Sequence, residues 1–113
     1  MIEIVTARGL FDYEAKYESA LTEYRFDHGL SRATADGIMR LGVSAVEAIG
    51  CSGLARVDLM LDTQGRAWLL EVNTVPGLTE HSLAPKAAAR AGSTMSDLCC
   101  WMLHEALAAE VTP

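Results

Sequence analysis

Positive charge is scarce in this sequence. Nine Lys and Arg stand against fifteen Asp and Glu, a net charge of −6, and the nine are scattered along the chain. Nucleic acid and anionic membrane surfaces are gripped by massed cations, so both are poor partners for it. Cysteine is scarce too. Cys51, Cys99 and Cys100 have no metal-ligand spacing, and an odd count with two adjacent residues on an expected helix argues against a disulfide framework. That pattern fits a reducing cytoplasm. No run of about 18 apolar residues occurs, and Met1-Ile2-Glu3-Ile4-Val5 lacks the basic-then-apolar order of a leader, so neither targeting nor membrane spanning is expected. Large aromatics are few: Phe11, Phe26, Trp68, Trp101 and three Tyr. The apolar half of the chain is Ala-rich instead, which predicts a thin core whose stability leans on a neighbour.

What remains is the size of one domain, residues 1–113, with enough apolar residues for one core and hardly two. Acidity leaves nucleotide chemistry open, because a phosphate substrate can be held by one or two aimed cations and a metal carried on carboxylates. Residues 2–5 read as a short strand that begins almost at the first residue, as if cut from a larger fold. The polar stretch after Tyr17 to about Gly29 reads as loop with short extended pieces. From the N-cap candidate Ser31, Ala35, Ile38, Met39, Ala45, Val46 and Ile49 repeat at helical spacing until Gly50. Leu54–Leu61 and Arg66–Asn73 form an expected hairpin around Asp62-Thr63-Gln64-Gly65. Pro76 and Gly77 then open a loop, since Pro76 lacks a ladder donor and Gly77 permits backbone angles other residues avoid. A short Ala-rich helix follows Ser82 with Pro85 in its first turn, and a longer one runs from about Thr94 to Ala109. Thr94 and Asp97 resemble a capping box above an apolar stripe of Met95, Leu98, Cys99, Met102 and Ala106. Helices on a small antiparallel sheet make the fold class α+β.

Side chains alternate along a strand, so Arg56, Asp58 and Met60 share one face of the first hairpin strand, and Leu69, Glu71 and Asn73 one face of the second. If the four-residue turn sets Leu61 opposite Arg66, Arg56 faces Glu71, and Asp58 and Glu71 are diagonal neighbours. Ala55, Val57, Leu59 and Leu61, with Trp68, Leu70 and Val72, make the opposite, apolar face. Two carboxylates and an amide oxygen on one face are hard ligands of the kind that hold Mg²⁺ with substrate phosphates. Spacing leaves a second reading open, a solvated face with an Arg56–Glu71 surface ion pair.

Three segments carry a family resemblance. Gly53-Leu54-Ala55-Arg56-Val57-Asp58-Leu59-Met60-Leu61-Asp62, then Leu69-Leu70-Glu71-Val72-Asn73-Thr74-Val75-Pro76-Gly77-Leu78-Thr79, then Ser82-Leu83, resemble the C-terminal core of D-alanyl-D-alanine ligases. Phe11-Asp12-Tyr13-Glu14-Ala15-Lys16-Tyr17 is similar to another signature of that family, in the same order and separation. The Glu-x-Asn pair alone indicates only the ATP-grasp superfamily. The segment Glu14–Tyr17 and the loop from Pro76 to Leu83 narrow it to this ligase, and Tyr17, Ser82 and Leu83 together disfavour a different ATP-grasp ligase.

The resemblance implies the C-terminal ATP-grasp lobe of an enzyme that joins two D-alanines through an acyl phosphate for peptidoglycan precursors. It makes Asp58, Glu71 and Asn73 ligands of two Mg²⁺ ions, with Mn²⁺ as a substitute, and Glu71 a bridge across the phosphates of ATP. Arg56 and the backbone N–H of Gly77 would surround the tetrahedral oxyanion. Ser82 and the backbone of Leu83 would bind the carboxylate of the second D-alanine. Lys16 would touch ATP phosphate, Tyr17 would help close the site, and Met60 would lie against adenine; a core methionine is the equal alternative for Met60. His81 is placed beside Ser82, whereas His28 and His104 read as surface residues, and Cys99, Cys100 and Trp101 as packing.

The family's N-terminal and central domains, which complete the substrate and ATP sites, have no counterpart in these 113 residues. Phe11 stands where the family more often has Tyr. The expected partners are therefore ATP, D-alanine, those missing domains and, for a full-length enzyme, a second copy. The chain is expected to be inactive alone. A reading from another class is a non-catalytic remnant, started at an internal Met, that binds nucleotide or protein.

Overall fold

The computed structural model describes residues 1–6 and 22–110, so the expected roles of Lys16 and Tyr17, and the segment around them, lie outside the described residues. Two compact units emerge, residues 1–30 and 31–113. In the first, β1 (Glu3–Val5) pairs antiparallel with β2 (Glu23–Arg25), setting Ile4 opposite Tyr24. The strand expected at residues 2–5 is there, and a second short strand lies in the stretch expected to be loop with extended pieces.

The second unit contains α1 (Arg32–Ala48), the hairpin β3 (Arg56–Leu61) and β4 (Ala67–Asn73), then α2 (Leu83–Arg90) and α3 (Met95–Glu110). Helices α1 and α3 start where their capping chemistry directs. Ser31 caps α1, its Oγ accepting the Thr34 N–H at 3.2 Å. At α3 the capping box is complete: Asp97 Oδ2 accepts from the Thr94 N–H at 2.8 Å, and Thr94 Oγ1 accepts from the Asp97 N–H at 3.1 Å. Helix α1 lies across the hairpin, where Gly42 brings its backbone near Val57, and α2 packs on α3. The architecture is the α+β class expected, with helices beside small antiparallel sheets.

The core is as thin as the composition predicts. Among the described residues the buried apolar side chains are Ile38, Ala45 and Leu98, together with Pro76. The expected apolar face of the hairpin is not a sealed core: Trp68 is 56% exposed and Leu70 59%. Of the α1 stripe, Met39 and Ile49 also stay exposed. No described helix is long and apolar enough to cross a membrane.

The hairpin register differs from the expected one by two successive steps. Asp62 donates its N–H to the Arg66 carbonyl at 3.0 Å, and Gly65 donates to the Asp62 carbonyl at 2.9 Å. Asp62 and Arg66 therefore close the turn, leaving a three-residue loop whose last residue, Gly65, has φ +77°. This is the three-residue hairpin geometry, in which glycine takes the left-handed position at no steric cost. Leu61 consequently faces Ala67 rather than Arg66. A bulge adds the second step: Leu59 faces Leu69, yet Asp58 faces Glu71, so Leu70 is the extra residue. The outcome is Asp58 directly opposite Glu71 and Arg56 opposite Asn73. Trp68, opposite Met60, joins the polar residues' face instead of the apolar one, while Leu69 pairs with Leu59 on the other face.

Candidate active site

Arg56 organises the polar face. Its Nε donates to Asp58 Oδ1 at 2.7 Å and its Nη2 to Asp58 Oδ2 at 2.9 Å, a two-pronged pair that fits the flat guanidinium to the flat carboxylate. The same Nη2 reaches Glu71 Oε1 at 3.1 Å. The Arg56 side chain is only 16% exposed while that of Glu71 is 58% exposed, so the shielded cation faces one shielded and one accessible acid. Hydrogen bonding to Asp58 raises the Arg56 pKa above its ordinary value, with the charges of both carboxylates adding to it against burial. Asn73, at the end of β4, turns its Oδ1 onto the Val75 N–H at 3.0 Å, which bends the chain out of the strand and into the loop. An amide oxygen has two lone pairs, so one acceptor site remains. Met60, on the same face, is 48% exposed.

The loop after β4 brings the next pair together. Ser82 stands at the N-cap of α2 with extended backbone angles, yet its side chain does not cap that helix. Its Oγ turns back instead, accepting from the Thr79 N–H at 3.1 Å and meeting Thr79 Oγ1 at 2.9 Å. Gly77 is needed here for close approach rather than for a left-handed backbone: its φ is not positive, but a Cβ added to it would stand 2.7 Å from Ser82 Oγ. The Gly77 backbone and the Ser82 hydroxyl are therefore adjacent, and α2 opens next to them with the Leu83 backbone. His81, placed beside Ser82 by its sequence position, is 86% exposed in the side chain and pairs with Glu80 at 3.4 Å. Thr79 was not among the expected site residues, and its hold on the Ser82 hydroxyl emerges only in the folded loop.

The match that decides the family covers nearly the whole chain: the model described as D-ala D-ala ligase C-terminus spans residues 1–104. The chain belongs to the D-alanine-D-alanine ligase family. Among curated ligases, that of Alkalilimnicola ehrlichii is 48% identical over 98 residues, 87% of this chain and 32% of the relative. That of Bordetella petrii is 46% identical over 106 residues, 94% of this chain and 32% of the relative. The solved ligase structure from Bacillus anthracis superimposes with a TM-score of 0.74 at 32% identity, covering 96% of this chain and 34% of that one. A second structure of that ligase, complexed with ATP, gives a TM-score of 0.68 at 34% identity over 71% of this chain and 28% of the other. The chain thus spans about a third of the length of the relatives it matches.

Proposed function

We propose that this chain supplies the Mg-ATP face and the second-D-alanine corner of a ligase that makes D-alanyl-D-alanine for peptidoglycan precursors in a reducing cytoplasm. The observation that carries the reading is Asp58 directly opposite Glu71, with Asn73 two residues on, in a chain of this family. The donor set fits a hard divalent ion: two carboxylates and an amide oxygen, already gathered around a positive charge. Asp58, Glu71 and Asn73 would hold magnesium, or manganese in its place, and Glu71 is the accessible member able to bridge two ions. A metal held by those residues would supply charge neutralisation for the phosphates during phosphoryl transfer to the carboxylate of the first D-alanine.

The chain's own groups then serve the second half of the reaction. The amine of the second D-alanine attacks the carbonyl carbon of the acyl phosphate, whose oxygen becomes an oxyanion until the C–O bond to phosphate breaks, releasing inorganic phosphate and the amine's proton. Arg56 and the Gly77 N–H offer a charge and a dipole to that oxygen, the stabilisation such a step needs most. Ser82 Oγ and the backbone at Leu83 hold the carboxylate of the attacking D-alanine, with the hydroxyl kept in place by Thr79. Met60 and Trp68, opposite one another on the same face, offer an apolar surface for adenine. Lys16 and Tyr17 complete the phosphate side and the closing of the site. The first D-alanine and the other jaw of the ATP clamp need the remaining two-thirds of a ligase, in the same polypeptide or as a partner.

The test is phosphate release from Mg-ATP in the presence of D-alanine. The 113-residue chain alone is expected to show none, and adding the remaining part of a ligase is expected to restore turnover that Glu71→Gln abolishes. Restored turnover indifferent to Glu71→Gln would refute the assignment. ATP binding without turnover under either condition would favour a non-catalytic nucleotide-binding role.

A further inference from the structure

The three charged groups on the hairpin face form a single unit. One guanidinium meets both oxygens of Asp58, at 2.7 and 2.9 Å, and one oxygen of Glu71 at 3.1 Å. The strand register makes that unit necessary, because the bulge sets the two acids directly opposite each other, where like charges repel across the ladder. A cation between them removes the repulsion. A divalent ion seated on the same oxygens is the other solution to the same problem, and the two solutions conflict. An ion within coordination distance of Asp58 and Glu71 would sit a few ångströms from a guanidinium that cannot lose its charge. Arg56 has somewhere else to go: it faces Asn73, the last residue of β4, beyond which the loop leads to Gly77 and Ser82.

We propose that Arg56 and a divalent cation compete for Asp58 and Glu71, so that metal binding releases the guanidinium toward the Gly77–Ser82 corner. The inference rests on the reading of Asp58 and Glu71 as metal ligands and adds an order of events to it. Arg56 becomes available to an oxyanion only after the phosphate side of the site is loaded. Until then its charge is spent on the two acids, and the corner that receives the second D-alanine lacks its cation.

The experiment uses the 113-residue chain and metal alone. Mn²⁺ affinity is measured by the loss of the free-ion resonance signal in wild type, Arg56→Lys and Arg56→Gln. In wild type, the side-chain Nε–H of Arg56 is also followed by NMR during a Mg²⁺ titration. Lys keeps the charge but cannot span three carboxylate oxygens with a flat fork. Competition therefore predicts that Arg56→Lys binds Mn²⁺ roughly fivefold more tightly than wild type. Arg56→Gln is expected to bind more tightly still, and Mg²⁺ is expected to move the wild-type Nε–H resonance and quicken its exchange with water. Equal affinity for wild type and Arg56→Lys, with an unmoved Nε–H resonance, would overturn the coupling and leave the metal assignment standing. Absence of Mn²⁺ binding in all three folded proteins would overturn the metal assignment and the coupling with it. The wild-type NMR titration decides the coupling even where a variant fails to fold.

Discussion

At the turn end of the hairpin an acid is the centre of its network, and at the open end a base is. Asp62 accepts from the N–H groups of Gln64 and Arg66, both at 2.9 Å, from Arg66 Nε at 2.7 Å and from Trp68 Nε1 at 3.2 Å. The Arg66 guanidinium also lies 5.8 Å from the centre of the Trp68 ring, within cation-π range. Two of those four donors are backbone groups fixed by the turn itself. At the open end the charges are reversed in role: Arg56 donates to Asp58 and Glu71, and every bond is between side chains. A carboxylate held by backbone N–H groups belongs to the fold, since its partners are fixed by the turn. A pair of carboxylates held by one flexible cation can change partners with the turn and register intact. Similar residue types therefore make a structural knot at one end and an exchangeable site at the other.

The largest effect expected from this contrast is on activity. With the remaining part of a ligase supplied, Glu71→Gln is expected to lower D-alanine-dependent phosphate release by about a thousandfold, the scale of losing a key electrostatic group. Asp62→Asn is expected to leave that rate near wild type at neutral pH. Comparable losses in the same phosphate-release assay would erase the distinction between the two ends. Next in size is Gly77→Ala, whose new Cβ must push Ser82 Oγ off Thr79. A rise of about tenfold in KM for the second D-alanine is expected, with ATP affinity unchanged, on the scale of one hydrogen bond to a charged group. Steady-state kinetics with each substrate varied in turn would show whether the loss is confined to that corner.

Gly65→Ala tests the structural end by stability alone. A residue with a Cβ at φ +77° costs about 1 kcal/mol. Urea unfolding is expected to show that loss while Mn²⁺ affinity stays at the wild-type value. The smallest expected effect is a pH dependence. Hydrogen bonds from the Arg66 backbone and side chain lower the Asp62 pKa from its ordinary 3.8 to about 2. A depressed carboxylate pKa adds stability that is present above the unfolded value and is lost as pH falls through the folded one. Wild type is thus expected to be more stable than Asp62→Asn above about pH 4 and to lose that advantage between pH 4 and 2. Thermal melts of both proteins across that range would reveal it. Asp97, lowered in the same direction by its bonds with Thr94, gives α3 a similar acid limb.

Much of this was legible in the residues. Ser31, Gly50 and the Thr94–Asp97 box marked helix ends because capping is local chemistry, complete within four residues. The hairpin and its polar face were legible because alternation is local too. The partnering across the face was not. A four-residue turn and a three-residue turn with a closing Asp62–Arg66 pair look alike in sequence, and a bulge leaves no mark on the strand that carries it. Parity found Asp58 and Glu71 as members of one face but made them diagonal rather than opposite. The fate of Ser82 was also hidden, since a serine before a helix reads as a cap, and only the folded loop shows Thr79 claiming its hydroxyl. The exposed Trp68 and Leu70 defeated the hydrophobic pattern because the register turns Trp68 onto the polar face and the bulge leaves Leu70 without a partner across the ladder.

The spare residue at Leu70 has a consequence for how the length of this hairpin can change. β4 uses seven residues where β3 uses six, and the surplus lies between Glu71 and the turn. A single deletion among residues 67–70 can be absorbed by flattening the bulge, which leaves Glu71 opposite Asp58 and the turn unaltered. A deletion within β3 has no such reserve and would either break the acid pair or demand a second irregularity. Insertions and deletions among related sequences should therefore collect on one strand and spare the other.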